Sequence, residues 1–250
     1  MARHSHWAQI KLKKGATDVK RGKTFTKHAR LIELAARQGG GDAAMNPGLR
    51  LAMENARADN LPRENIERAI KKGTGELKEG EQLQEVVYEG YAPGGVALLI
   101  EVLTDNKNRT NQTIRTILQK HGGSIGSIGS TNFLFERKGV LAVKAKNDRD
   151  SGELEMIDAG ADDIEERGLR VEGRGWRVYT AANQLAEVKK NLEIKGFAVE
   201  SAQLQYVPKN LVEVGDSEVG KKLLDLLEAL DKEDDVSMVA ANFDFRNITQ

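Results

Sequence analysis

Apolar residues in this chain recur every three or four positions as far as residue 73, and from about residue 84 they recur largely every second position. A pattern that changes period in this way predicts a helical unit followed by sheet-containing units, because the two periods bury different faces. Over residues 24–38, Phe25, Ala29, Ile32 and Ala36 follow at spacings of four, three and four, and Gly39-Gly40-Gly41 ends the run. Asn46-Pro47 reads as an N-cap followed by a first-turn proline, with Leu49, Ala52, Met53 and Ala56 as the buried stripe. A third helix starts near Pro62, buries Ile66, Ala69 and Ile70, and stops at Gly73 after Lys71-Lys72.

Beyond that point the pattern predicts a hairpin, with strands at 86–91 and 96–103 around a Pro93-Gly94-Gly95 turn. A helix over 108–121, a Gly/Ser loop and strands at 132–136 and 140–144 follow. Next come a short helix near 151–159, strands at 164–171 and 176–180, a helix over 183–194 and a strand over 198–206. The chain closes with a strand at 211–214, a helix over 217–230 and a strand over 236–243. Residues 139–206 therefore run β-α-β-β-α-β, a complete ferredoxin-like order, and the segments on either side supply β-α-β each. The predicted fold class is α+β, with an N-terminal helical domain and two ferredoxin-like α/β domains, one inserted in the other. The expected boundaries are 1–79, then 80–137 plus 207–250, with 138–206 as the insert. One continuous mixed sheet is the alternative, but each half-unit alone would leave a sheet face uncovered.

Charge carries the main functional signal. Residues 1–78 hold 17 Lys and Arg against 8 Asp and Glu, whereas the whole chain is balanced at 38 each. The first thirty residues contain nine basic side chains and the single acid Asp18. So local an excess points to a polyanionic partner, nucleic acid, at one end of the molecule. Lys11, Lys13, Lys14, Lys20, Arg21, Lys23, Lys27 and Arg30 are the candidate phosphate contacts, with Trp7 and Phe25 as possible stacking faces. For Phe25, a place in the helix core is the simpler reading. Lys107 and Arg109, at the start of the helix after Thr104-Asp105-Asn106, are further phosphate candidates, with Asp105 or Asn108 expected to cap that helix. The Gly- and Ser-rich stretch 121–130 reads as a flexible connection or a nest of backbone amides.

Enzymatic signals do not assemble. Gly22-Lys23-Thr24 resembles the end of a P-loop, but Thr17 stands where that loop needs its first Gly. Gly173-Arg174-Gly175 reads as a turn between strands, and the acidic runs Asp162-Asp163 and 231–235 read as solvated connections. Without Cys there is no thiol nucleophile, iron–sulfur cluster or Cys-bound zinc. His28 and His121 lie in or at the end of helices. Ala2-Arg3-His4 could chelate a square-planar metal only as any such terminus can. The expectation is no catalytic residue, metal, cofactor or small-molecule substrate. With neither an apolar run of 18 residues nor a secretory signal, no membrane association is expected, and a cytoplasmic location follows. The helices at 46–60 and 62–72 could imitate a helix-turn-helix. The alternating charges Arg63, Glu64, Glu67, Arg68 and Lys71 on the second make it a poor groove reader.

Several strings together resemble the YebC/PmpR family. They are Lys20-Arg21-Gly22-Lys23-Thr24-Phe25-Thr26-Lys27, Gly39-Gly40-Gly41-Asp42, Asn46-Pro47-Gly48-Leu49-Arg50 and 65–75 around Ile70-Lys71-Lys72-Gly73. Tyr88-Glu89-Gly90-Tyr91-Ala92-Pro93-Gly94-Gly95, the 104–110 segment and Ala241-Asn242-Phe243-Asp244 complete the set. The resemblance covers almost the whole chain and implies three domains, no catalytic residues and a cytoplasmic, DNA-binding transcriptional regulator. Some members of the family are instead ribosome-associated translation factors, among them the mitochondrial translational activator of cytochrome c oxidase, which makes ribosomal RNA the alternative partner. The chain departs from the family's usual Gly-His-Ser-Lys-Trp start, because Arg3 and His6 replace the Gly and the Lys. It also has Ala240 where a larger residue is common.

Overall fold

The computed structural model describes residues 18–77, 82–144, 149–167 and 175–245. Three helices come first: α1 (Asp18–Gly39), α2 (Pro47–Ala58) and α3 (Arg63–Gly73). Asn46 caps α2 as its sequence position predicts, its side chain accepting from the Leu49 amide at 3.0 Å. The same side chain donates to the carbonyls of Ala35 and Gly40, so one buried Asn joins the end of α1 to the start of α2. Ile32, Ala36, Leu49, Ala56, Leu61, Ile66 and Ala69 form the helical core, with Phe25 packed half-buried against it. At Gly73, α3 comes so close to α1 that a Cβ would lie 2.3 Å from the Glu33 carbonyl oxygen.

The remaining elements are β1 (Gln84–Ala92), β2 (Val96–Thr104), α4 (Lys107–Lys120), β3 (Ser124–Ile125), β4 (Phe135–Lys144), α5 (Arg149–Asp158) and β5 (Asp163–Arg167). They continue with β6 (Gly175–Ala181), α6 (Leu185–Ile194), β7 (Val199–Pro208), β8 (Val212–Glu213), α7 (Ser217–Asp231), β9 (Val236–Ala241) and β10 (Phe243–Asp244). One antiparallel sheet has the order β5-β6-β4-β7, which with α5 and α6 gives the ferredoxin-like arrangement. Its helix-covered face buries Leu141, Val143, Trp176, Val178, Val188, Leu192 and Phe197. Two strands expected at 132–136 and 140–144 are one strand, β4, preceded by a 3₁₀ turn at Asn132–Leu134. β4 crosses the expected boundary at 137/138 without a break, because its ladder with β7 runs from Phe135↔Pro208 onward. The strand expected at 164–171 is described only as Asp163–Arg167, and Gly173 and Arg174 lie outside the described residues.

The second sheet has the order β3-β1-β2-β9, all antiparallel. Here the sequence expectation needs correcting. The strand predicted at 211–214 is absent from this sheet, and β8 instead pairs in parallel with β10. β1 takes the position between β2 and β3. Its hairpin with β2 closes through Pro93–Gly95, and short loops cost little entropy to close. The last strand, expected unbroken over 236–243, divides at buried Asn242, whose side chain accepts from the Ala97 amide at 2.7 Å. β2 is buried along its whole length. Leu98, Ile100 and Val102 face Ile114 and Leu118 of α4 and Leu223, Leu226 and Leu227 of α7, while Ala97 and Leu99 meet Phe135, Ala240 and Tyr206. Among the described residues no helix is long and apolar enough to cross a membrane.

Candidate nucleic-acid interface

The helical unit touches both sheet-bearing units. From α2, Leu51 packs against the core beneath the β5-β6-β4-β7 sheet, Asn55 donates to the Ala202 carbonyl at 2.8 Å, and Glu54 pairs with Lys189. From α1, Arg37 donates to the Leu83 carbonyl. The basic side chains of α1 meet the connection between α7 and β9.

Lys11, Lys13 and Lys14 lie outside the described residues, as do Trp7 and the Ala2-Arg3-His4 terminus. Lys20 and Arg21 fall in the first turn of α1. Lys23, Lys27 and Arg30 follow at helical spacing, and all three address residues 231–235. Lys23 donates to the Lys232 carbonyl and lies 3.6 Å from the Asp234 carboxylate. Lys27 donates to the carbonyl of Asp231 at 2.7 Å and to its carboxylate at 3.2 Å. Arg30 reaches the carbonyls of Leu103 and Asp234, at 3.1 and 2.6 Å, and the Asp235 carboxylate at 2.7 Å. The acidic run expected to be merely solvated is therefore a partner of α1.

Asp235 is the hub. Its other oxygen accepts from Thr110 at 2.5 Å, Thr104 at 3.2 Å and Arg109 at 3.2 Å. Burial pushes the Asp235 carboxyl up, but the bonds from Thr110, Arg30 and Arg109 outweigh it and hold the pKa below the usual range. Arg109 is also bound to Asp105 at 2.7 Å. The cap of α4 is neither Asp105 nor Asn108. It is Asn106, whose side chain accepts from the Arg109 amide at 3.0 Å, leaving Asp105 to hold the guanidinium. Lys107 is exposed at the start of α4. A pocket of about 300 Å³ lies among Arg30, Arg109, Thr110, Thr113 and residues 233–236.

Residues 121–130 include the short strand β3 and run against the Glu89 carboxylate. Glu89, on β1, accepts from the amides of Gly129, Thr131 and Asn132 at 2.5, 2.6 and 2.8 Å. Burial raises the Glu89 pKa, and these amide bonds more than reverse it. Of the loop's own amides, Gly129 donates to the Glu89 carboxylate and Gly126 to the Glu89 carbonyl, and Ile128 stands fully exposed at the loop tip. Nothing in the local sequence marks this clamp beyond a carboxylate between Tyr88 and Gly90 in the inner half of the strand. His28 pairs with Asp59 at 2.6 Å, and Arg63 with Glu67 at 2.7 Å on the mixed face of α3. Among the described residues no three His, Asp or Glu side chains gather into a metal-binding group.

The described residues form a helical unit with Lys23, Lys27 and Arg30 along one helix, joined to two sheet-bearing units. The chain belongs to the TACO1/YebC family: residues 5–76 match the TACO1/YebC protein N-terminal domain, and 83–243 match the TACO1/YebC second and third domain. It is 49% identical over 245 residues to a probable transcriptional regulatory protein of Persephonella marina, covering 98% of this chain and 96% of that one. It is 50% identical over 246 residues to a protein of the same description in Thermotoga maritima, covering 98% and 94%. The crystal structure of a conserved hypothetical protein from Aquifex aeolicus matches with a TM-score of 0.87 at 47% identity, covering 98% of this chain and all of that one.

Proposed function

We propose that this protein is a non-enzymatic, nucleic-acid-binding regulator of gene expression, acting in the cytoplasm as a DNA-binding transcriptional regulator. The observation that carries the reading is the basic excess of residues 1–78 in a chain that is neutral as a whole. Relatives named as probable transcriptional regulatory proteins support the transcriptional role. Lys11, Lys13, Lys14, Lys20 and Arg21 supply the first phosphate contacts, ahead of the part of α1 that meets residues 231–235. Lys107 and Arg109 flank the same region.

A salt titration of binding tests this with duplex DNA, single-stranded RNA and ribosomes side by side. Each phosphate contact contributes ~0.7 to ~0.9 to the slope of log affinity against log salt. Changing Lys13, Lys14 and Arg21 together to Gln should flatten the slope by roughly two units and weaken unrelated sequences alike. An unchanged slope, or a loss confined to one sequence, moves the binding surface elsewhere. Ribosome binding that far exceeds DNA binding replaces transcription with translation as the process regulated.

A further inference from the structure

We infer that residues 231–235 act as an intramolecular substitute for nucleic acid, closing the basic stripe of α1 in the free protein and giving up Lys23 and Lys27 when a polyanion binds. The inference rests on the nucleic-acid reading above and adds to it a competition within the chain.

Three observations support it. Lys23, Lys27 and Arg30 converge on one acidic segment: Lys23 meets residues 232 and 234, Lys27 meets Asp231, and Arg30 meets residues 234 and 235. The acceptors are of the kind phosphates provide. They combine carboxylates with carbonyls at the C-terminal end of α7, where unpaired C=O groups and the helix dipole concentrate negative charge. The contacts are also graded in exposure. The Lys23 and Asp234 side chains are 39% and 59% exposed, those of Lys27 and Asp231 are 16% and 29%, and those of Arg30 and Asp235 are 21% and 14%.

The gradient sets which end opens. Exposed ion pairs contribute little and are screened by salt, so a phosphate backbone displaces the carboxylate from Lys23 first, and from the more buried Lys27 only after it. Asp235 is different, because Arg30, Arg109, Thr104 and Thr110 all bind it. That network stays intact and serves as the pivot about which the N-terminal half of α1 lifts. Affinity measured for the free protein is accordingly lower than that of the open stripe, by the fraction of molecules in which the latch is released.

The test uses the full chain and two probes, a 20-nucleotide single-stranded RNA and a 20-base-pair DNA duplex of mixed sequence. Asp231→Asn with Asp234→Asn removes competing charge at the outer end. Glu64→Gln with Glu67→Gln removes the same charge from α3 and serves as the control. The first pair should bind both probes roughly three- to tenfold tighter, and the second less than about twofold tighter. Equal gains in the two variants would mean a general charge effect and overturn the inference. Because the chain contains no Cys, spin labels can be placed at Thr26→Cys on α1 and Lys222→Cys on α7 without background. Their separation should lengthen at saturating probe, and an unchanged separation overturns the inference.

If neither probe binds any of the proteins, the nucleic-acid reading fails and the competition with it. Closure itself is judged without a probe. Asp231→Lys with Asp234→Lys should lengthen the label distance in the free protein, and an unchanged distance shows that these charges do not hold α1 in place.

Discussion

Glu101 stands on β2 with 8% of its surface exposed, beneath Arg137 of β4. Burial is the main influence on its carboxyl. Arg137 pulls the pKa down and Glu85 pushes it further up, and the balance raises it from 4.5 to about 7. Between those two values the folded protein holds a proton that the unfolded chain has released. Stability from this residue is therefore fully present below about pH 4.5 and is lost as pH rises through about 7. Glu101→Gln should remove that dependence and stabilise the protein at pH 8 by up to the order of 3 kcal/mol. Urea denaturation of both proteins at pH 5 and pH 8 checks this; an equal effect at the two pH values refutes it. Arg137 keeps a second partner in either case, since its guanidinium lies 5.7 Å from the centre of the Tyr206 ring.

At the scale of elements, the packing of α1 on α3 depends on one residue without a side chain. A Cβ at Gly73 would stand 2.3 Å from the Glu33 carbonyl oxygen and 2.7 Å from the Ala36 Cβ. Both are part of a helix, so the helices must separate. Gly73→Ala should cost about 1–3 kcal/mol, read as faster amide exchange across α1 and α3 with α6 unaffected. Uniform acceleration in all helices would show that the helical unit does not unfold separately. The clamp at Glu89 works differently, holding a loop through acceptors rather than shape. A buried carboxylate bonded to three amides gives residues 129–132 a defined path despite the Gly and Ser around them.

At the scale of the whole molecule, the chain crosses between its two four-stranded sheets at the start of β4 and leaves after β7. Because the ladder between these strands begins at Phe135↔Pro208, a fragment trimmed at 138 and 206 loses its outermost pairs. We expect residues 135–208 to fold alone, with a cooperative melt, since the β-α-β-β-α-β order and its core are complete within them. Calorimetry of the fragment decides the matter: a melt without a cooperative transition would mean that Leu51 and Asn55 of α2 are required for folding.

The sequence by itself determined the helices and the longer strands, though not every strand boundary, because periodicity, caps and turn residues act over a few positions. The Asn46 cap, the Pro93–Gly95 hairpin and the stop at Gly73 were all legible there. So was the β-α-β-β-α-β order of the inserted unit, together with the concentration of positive charge ahead of residue 78. Tertiary structure decided which distant strands pair: β9 lies beside β2, and the strand expected at 211–214 pairs with β10 outside that sheet. It also decided what the charges do. Lys27 and Arg30 have the same local sequence whether they face solvent, phosphate or Asp231 and Asp235, and some two hundred residues separate the partners. Local pattern specifies which face of a helix is charged. What meets that face is set by how the units pack, because long-range pairing depends on spatial proximity and not on sequence spacing.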